Sequence, residues 1–265
     1  MVGYNQTGSP MNDKEVIRIL LLASGNGTNA EAIVKYFQAK NLPVDFVGGC
    51  SKPREEAGVY NRLEKLGVQV HLVHPLKPQK NDFSMLRDFL NKSPKFKLII
   101  MAGYMWRLPD DIVETYDVLN IHPSILPFRY QGSKDAYEDA LKNEDSYTGC
   151  TVHKATRVLD GGPVLAQIAF EIPDFVRETH DLDMLKAYGL LHEYPLYSKV
   201  AEHVVFEKPL SPDDMLDIAE QAQANLAARG LAGTTTILPP FGNRKFTEFD
   251  PDCPTHYCQR ITASR

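Results

Sequence analysis

Ile17-Arg18-Ile19-Leu20-Leu21-Leu22-Ala23 runs directly into Ser24-Gly25-Asn26-Gly27-Thr28-Asn29-Ala30, and this junction sets the fold class. The first seven residues form a near-continuous apolar run of strand length. The glycine turn behind them opens a segment, Ala30 to Lys40, whose apolar residues recur at helical spacing. The alternation continues down the chain. Val44–Cys50, Val68–Val73, Leu98–Ala102 and Val118–His122 read as strands, with helices between them over Glu55–Leu66, Asp82–Asn91 and Asp110–Tyr116. Strands that lack polar alternation are buried on both faces, so the series predicts an α/β fold. Its core is a mostly parallel twisted sheet flanked by helices, Rossmann-like, with ligands at the carboxyl ends of the strands.

After residue 147 the rhythm changes. Thr148–Arg157 and Pro163–Ile172 read as antiparallel strands joined by the turn Leu159-Asp160-Gly161-Gly162, and a long helix is expected over His180–Phe206. We expect one domain over residues 16–207 and a C-terminal extension over 208–265. In the extension, Ser211-Pro212-Asp213-Asp214 starts a helix over about 212–229 that Gly230 stops, and residues 231–265 read as irregular. Met215, Ile218, Ala219, Ala222 and Leu226 make one apolar stripe on that helix, expected to pack on the main domain in preference to a dimer contact.

Composition narrows the functional classes. Of 265 residues 43% are hydrophobic and 24% charged, and 34 acids against 29 bases leave a net charge of −5. No basic field exists to hold nucleic acid or an anionic membrane, so small-molecule substrates are the expected partners, in a monomer or a homodimer. The apolar stretch Ile19–Ala23 is far shorter than the roughly 20 residues that cross a bilayer, and the polar lead Met1–Lys14 lacks a signal-peptide layout. Four scattered cysteines, at 50, 150, 253 and 258, fit a reducing compartment. The expected location is cytoplasmic.

The loop Ser24–Asn29 turns backbone N–H groups and a helix N-terminus toward one point, where an anion would be held without a lysine. A tight turn capped by Thr28 or Asn29 is the alternative. Gly25, Gly27 and Ala30 also satisfy a dinucleotide fingerprint, but its acidic partner at the end of the second strand is missing, since that strand ends Gly48-Gly49-Cys50-Ser51-Lys52. Lys52 and Arg54 would have to take a 2′-phosphate instead, which keeps an NADP-dependent oxidoreductase as an alternative.

Val118-Leu119-Asn120-Ile121-His122-Pro123 ends the fifth strand, and the period of two puts Asn120 and His122 on one face at the carboxyl edge. Asp160 follows in the turn after the sixth strand. A carboxylate favours the protonated form of a nearby histidine, and a carboxamide can donate to a forming oxyanion, so the three suit acyl transfer to an amine. Singly, each has a plainer explanation: a strand-end turn former, a satisfied rim histidine and an Asx-turn residue.

Four ordered motifs now coincide: Ala23–Asn29, Met101-Ala102-Gly103-Tyr104-Met105, Asn120-Ile121-His122-Pro123-Ser124-Ile125-Leu126-Pro127 and Leu159-Asp160-Gly161-Gly162-Pro163-Val164. Over about residues 16–205 the chain resembles the folate-dependent formyltransferases, the glycinamide ribonucleotide formyltransferases in particular. The resemblance implies a formyltransferase fold, with Asn120, His122 and Asp160 catalytic and Gly27, Thr28 and Asn29 on the substrate phosphate. It also implies that Met105 and Leu108 line a pterin pocket, with Trp106, Arg107 and Asn120 beside them, and that 10-formyltetrahydrofolate is the co-substrate with no metal. The implied reaction is formyl transfer to the amine of 5-phosphoribosylglycinamide in purine biosynthesis. The chain departs from the family in three places. Gly132-Ser133-Lys134-Asp135-Ala136-Tyr137 lacks the usual histidines, Trp106 stands where arginine is common, and Leu190-Leu191 replaces a Glu-His pair whose glutamate contacts the ribose. These changes leave open transfer to a different amine, a formyltetrahydrofolate deformylase, or a non-catalytic folate-binding protein. Cys253, His256 and Cys258 offer three zinc ligands where structural zinc takes four, so loose thiols are expected there.

Overall fold

The computed structural model describes residues 16–74 and 82–238 and the backbone of a strand at 259–261. In chain order the elements are β1 Ile17–Ala23, α1 Thr28–Ala39, β2 Val44–Cys50, α2 Val59–Glu64, β3 Val70–Leu72, α3 Ser84–Lys92, β4 Leu98–Met101, α4 Asp110–Thr115 and β5 Val118–His122. There follow α5 Ala136–Lys142, β6 Tyr147–Lys154, β7 Val164–Glu171, α6 Asp174–Thr179, α7 Leu182–Val205, α8 Pro212–Ala227, β8 Thr235–Leu238 and β9 Gln259–Ile261. One sheet contains all the strands, in the order β3-β2-β1-β4-β5-β6-β7-β8-β9. The pairs from β3 through β5 are parallel and those from β5 to β9 antiparallel.

The apolar runs form the centre of this sheet because only there are both faces covered. Ile19, Leu20, Leu21, Leu22 and Ala23 are all buried, alternating between two cores. Ile19, Leu21 and Ala23 pack with Ile33, Phe37 and Val200 under α1 and α7, while Leu20 and Leu22 pack with Leu86, Leu90 and Ile112 under α3 and α4. β1 pairs with both β2 and β4, so the strand order reverses there and a crevice opens at the carboxyl end. The loop after β1 and the loop after β4 border it. Behind it, the buried Tyr197 hydroxyl of α7 donates to the carbonyls of Leu119, at 2.9 Å, and Met101, at 3.2 Å.

The helix expected over His180–Phe206 is α7, Leu182–Val205: His180 takes a left-handed φ of 51°, and Asp181 then caps α7 by accepting from the Met184 N–H. One sequence expectation changes. The stretch expected to be irregular after Gly230 contains β8, which extends the sheet beyond β7. The physical reason is Thr235. Its hydroxyl receives the Gln223 amide of α8 at 2.6 Å and donates to His192 Nε2 of α7 at 3.1 Å. The α8 stripe Met215, Ile218, Ala219, Ala222 and Leu226 is buried, and Ser211 and Asp214 close a capping box at its start.

Candidate active site

Asn120 and His122 lie on the face of β5 opposite Leu119 and Ile121, which pack into the core under α1 and α7. Asp160 reaches them from the β6–β7 turn. Its Oδ2 stands 3.4 Å from His122 Nδ1 and accepts the Gly132 N–H at 3.0 Å, and its left-handed φ of 50° is one that aspartate tolerates. His122 Nε2 lies 2.9 Å from the Tyr130 carbonyl. Both ring nitrogens of His122 thus face acceptors, an arrangement that only a doubly protonated ring satisfies in full.

Sequence reasoning missed His153. β5 and β6 pair so that Asn120 and His153 are opposite, and the β6–β7 register shifts between Val152 and His153, a bulge that re-aims this side chain. His153 Nδ1 donates to the Lys154 carbonyl at 3.0 Å, which leaves Nε2 as the acceptor for Asn120 Nδ2 at 3.1 Å. Burial pushes the imidazole below its ordinary value, outweighing the Lys154 carbonyl and Asp160, so the neutral tautomer is favoured. With one Nδ2 proton committed, Asn120 keeps its other proton and its Oδ1 for a ligand.

A cavity of about 40 Å³ touches Met101, Arg107, Leu108, Asn120, His153 and Asp160. That is far below the several hundred Å³ that enclose a drug-sized ligand. Of the residues assigned to the folate by resemblance, Arg107, Leu108 and Asn120 line it, whereas Met105 is 76% exposed at the rim. Trp106 lies off the cavity, stacked on the buried His74 with ring centroids 4.9 Å apart. Arg107 latches the loop after β4 to the β6–β7 turn through the Arg157 carbonyl, at 2.6 Å. A larger cavity, about 500 Å³, lies between the end of α7 and the start of α8 and touches none of the catalytic candidates.

The glycine loop is built as the sequence predicts, with a refinement. Gly27 has a φ of 70°, and a Cβ there would stand 2.4 Å from Val59 Cγ2, so this glycine is required by the packing of α2. Gly25 faces open space, with nothing within 4 Å of its Cβ position. Glu31 N–H makes the first helical bond, to Gly27 O, and no side chain caps α1. The N–H groups of Thr28, Asn29 and Ala30 therefore have no acceptor within the helix. Asn29 is buried, and its Nδ2 donates to Glu193 Oε2 at 2.7 Å. Glu193 lies one helical turn beyond Leu190, where the family's ribose-contacting glutamate is replaced.

Of the cations proposed for an NADP phosphate, Arg54 is engaged by Glu64 and lies over the Tyr60 ring. Among the described residues no three His, Cys, Asp or Glu side chains are grouped to hold a metal ion. Cys253, His256 and Cys258 lie outside the described residues. No described helix is long and apolar enough to cross a membrane.

Residues 17–188 match the family model described as formyl transferase. The phosphoribosylglycinamide formyltransferase of Bacillus subtilis (strain 168) is 32% identical over 162 residues, covering 59% of this chain and 80% of that protein. The human trifunctional purine biosynthetic protein adenosine-3 is 29% identical over 60% of this chain, which spans only 16% of that longer protein. The crystal structure of glycinamide ribonucleotide transformylase 1 from Symbiobacterium toebii superposes with a TM-score of 0.65 at 26% identity, over 77% of this chain and 94% of that one. The family model spans well over half of the sequence, and the chain belongs to the formyl transferase family, as an enzyme that transfers formyl groups.

Proposed function

We propose that this chain moves the formyl group of 10-formyltetrahydrofolate to the amine of a phosphorylated acceptor, 5-phosphoribosylglycinamide, as a step of purine biosynthesis. The observation that carries the reading is the meeting of Asn120, His122 and Asp160 at the carboxyl edge of β5, with an uncapped glycine loop two strands away. In this reading the N–H groups of Thr28 and Asn29, with Gly27 forming the turn, hold the acceptor's phosphate. Arg107, Leu108 and Asn120 border the folate, with Met105 and Trp106 on the same loop.

The neutral amine attacks the formyl carbon, and the charge grows on the formyl oxygen. Asn120, its amide set by His153, donates to that oxygen. His122 Nε2–H exchanges the Tyr130 carbonyl for the same oxygen, and Asp160 holds the imidazolium. Two such donors contribute a rate factor of about 10²–10³ each. The proton lost by the amine reaches the departing folate nitrogen through His122 or through a water held by Asp160, and tetrahydrofolate leaves.

The test is a panel of phosphorylated amines with 10-formyltetrahydrofolate, followed by release of tetrahydrofolate, alongside calorimetry with folate and NADPH. Formyl release that is equally fast with no amine would turn the reading to a deformylase. Tight NADPH binding without a folate signal would overturn it altogether.

A further inference from the structure

Glu193 is the one acid of the described residues that combines burial, the absence of a cationic partner and contact with the glycine loop. Its two oxygens accept from neutral donors on two other helices: Asn29 Nδ2 of α1 at 2.7 Å and the Tyr137 hydroxyl of α5 at 3.1 Å. Cys150 of β6 and Tyr197 of α7 complete its titratable surroundings, with Asp135 beyond Tyr137. The arrangement is built for this contact. A Cβ at Gly189 would lie 2.0 Å from the Tyr137 hydroxyl, so only glycine on α7 lets Tyr137 reach the acid.

An ionised carboxylate here lies under the first turn of α1. From the backbone donors of that turn it is separated by little more than the Asn29 side chain and one hydrogen bond. The same turn is where the acceptor's phosphate is read to sit, so two negative charges would share one poorly hydrated corner of the protein. Protonation removes the repulsion and keeps both donors satisfied in part, since a carboxyl group retains acceptor capacity.

We propose that Glu193 is a positioning residue of the acceptor site that acts through Asn29 and takes up a proton when the acceptor's phosphate binds. The proposal rests on the reading that the glycine loop holds the phosphate. It makes the enzyme selective for phosphate only while Glu193 is neutral, so acceptor affinity falls as pH rises through the titration of this acid. Burial raises that titration above the ordinary carboxylate range, with Asn29 and Tyr137 opposing it. The fall is on the order of tenfold for one like charge at this separation.

Calorimetry of 5-phosphoribosylglycinamide binding between pH 5 and 8, in buffers of differing ionisation enthalpy, counts the protons taken up. The phosphate's own proton is common to all variants, and the difference between wild type and Glu193→Gln isolates Glu193. We expect extra uptake in the wild type, absent from Glu193→Gln, and in that variant a weaker pH dependence with tighter binding at the alkaline end. Tyr137→Phe removes a donor to the carboxylate and should move the wild-type midpoint to higher pH. Equal uptake in wild type and Glu193→Gln, or a uniform loss of affinity at every pH, would overturn the proposal and leave Glu193 as packing. If the acceptor binds no better than its dephosphorylated form, the loop reading itself fails, and the proposal with it.

Discussion

Asn120 and His153 face each other across the β5–β6 pairing, and the 3.1 Å contact between them fixes which atoms of the Asn120 amide remain for a ligand. His153→Phe keeps a ring but removes the acceptor, so the amide is free to turn. Turnover should fall by about 10-fold to 10²-fold with folate affinity nearly unchanged. His153→Gln, whose carbonyl can accept, should recover part of the loss. In the wild type the neutral imidazole is required, and burial holds its titration below the ordinary value of 6.5. The corresponding acid limb of kcat should therefore lie below that value and be missing in His153→Gln. Unchanged kcat in His153→Phe would remove the residue from the site.

His122 and Asp160 are expected to act on the transition state. His122→Ala should cost about 10²-fold or more in turnover, measured as tetrahydrofolate release, with folate binding within a few-fold of wild type. Asp160→Asn should behave alike, since it keeps the contact to Gly132 but loses the charge facing both His122 and His153. Turnover near normal in either variant would assign that residue to the architecture of the turn.

The two glycines of the loop after β1 separate binding from folding. Gly25→Val puts its side chain into open space at the loop and should raise the acceptor KM with little change in melting temperature or folate affinity. Gly27→Val collides with Val59 and forces a branched residue into left-handed backbone, so it should destabilise the fold by several kcal/mol, of order 3. Equal effects of both on acceptor KM, with stability intact, would contradict the packing assigned to Gly27.

The cavity beside Leu108 and Asp160, only about 40 Å³, implies that a folate enters by moving its walls. Val158 and Leu159 on the β6–β7 turn and Met105 across from them are exposed large apolar residues. Bound folate should cover them. Hydrogen exchange over 103–108 and 155–162 is expected to slow when folate is added, and identical exchange with and without it would place the folate elsewhere.

His192 gives the attachment of the C-terminal strand a pH dependence. It is sealed between Tyr188, Thr235 and the Phe170 ring, and burial pushes its titration down to about 4. A depressed histidine contributes stability that is fully present above its unfolded value of 6.5 and is lost as pH falls toward 4. Urea unfolding across that window should show a loss on the order of 3 kcal/mol in the wild type, and a flatter profile in His192→Gln. A wild-type profile with no slope there would show that His192 titrates normally.

What the sequence disclosed follows from the range of the forces involved. β1, β2 and β5 were legible to the residue because burial on both faces demands a continuous apolar run, and the Ser211–Asp214 cap was legible because its bonds are local. β8 was not, since Thr235-Thr236-Ile237-Leu238 is a strand only because β7 offers it a partner and two distant side chains hold Thr235. His153 and Glu193 escaped for a similar reason. Each earns its place through a residue more than 30 positions away, Asn120 for the one and Asn29 for the other, and no local pattern encodes such a meeting.

The addition of β8 to β7 also governs how copies of this protein can meet. An antiparallel strand with unpaired backbone groups is a template on which another chain can grow, a route to sheet-to-sheet assembly and to aggregation. Here the β7 groups between Gln167 and Phe170 are already taken by residues 235–238 of the same chain. Any self-association must therefore use another surface, and a version cut short at residue 207 would bare this row and should be the stickier molecule.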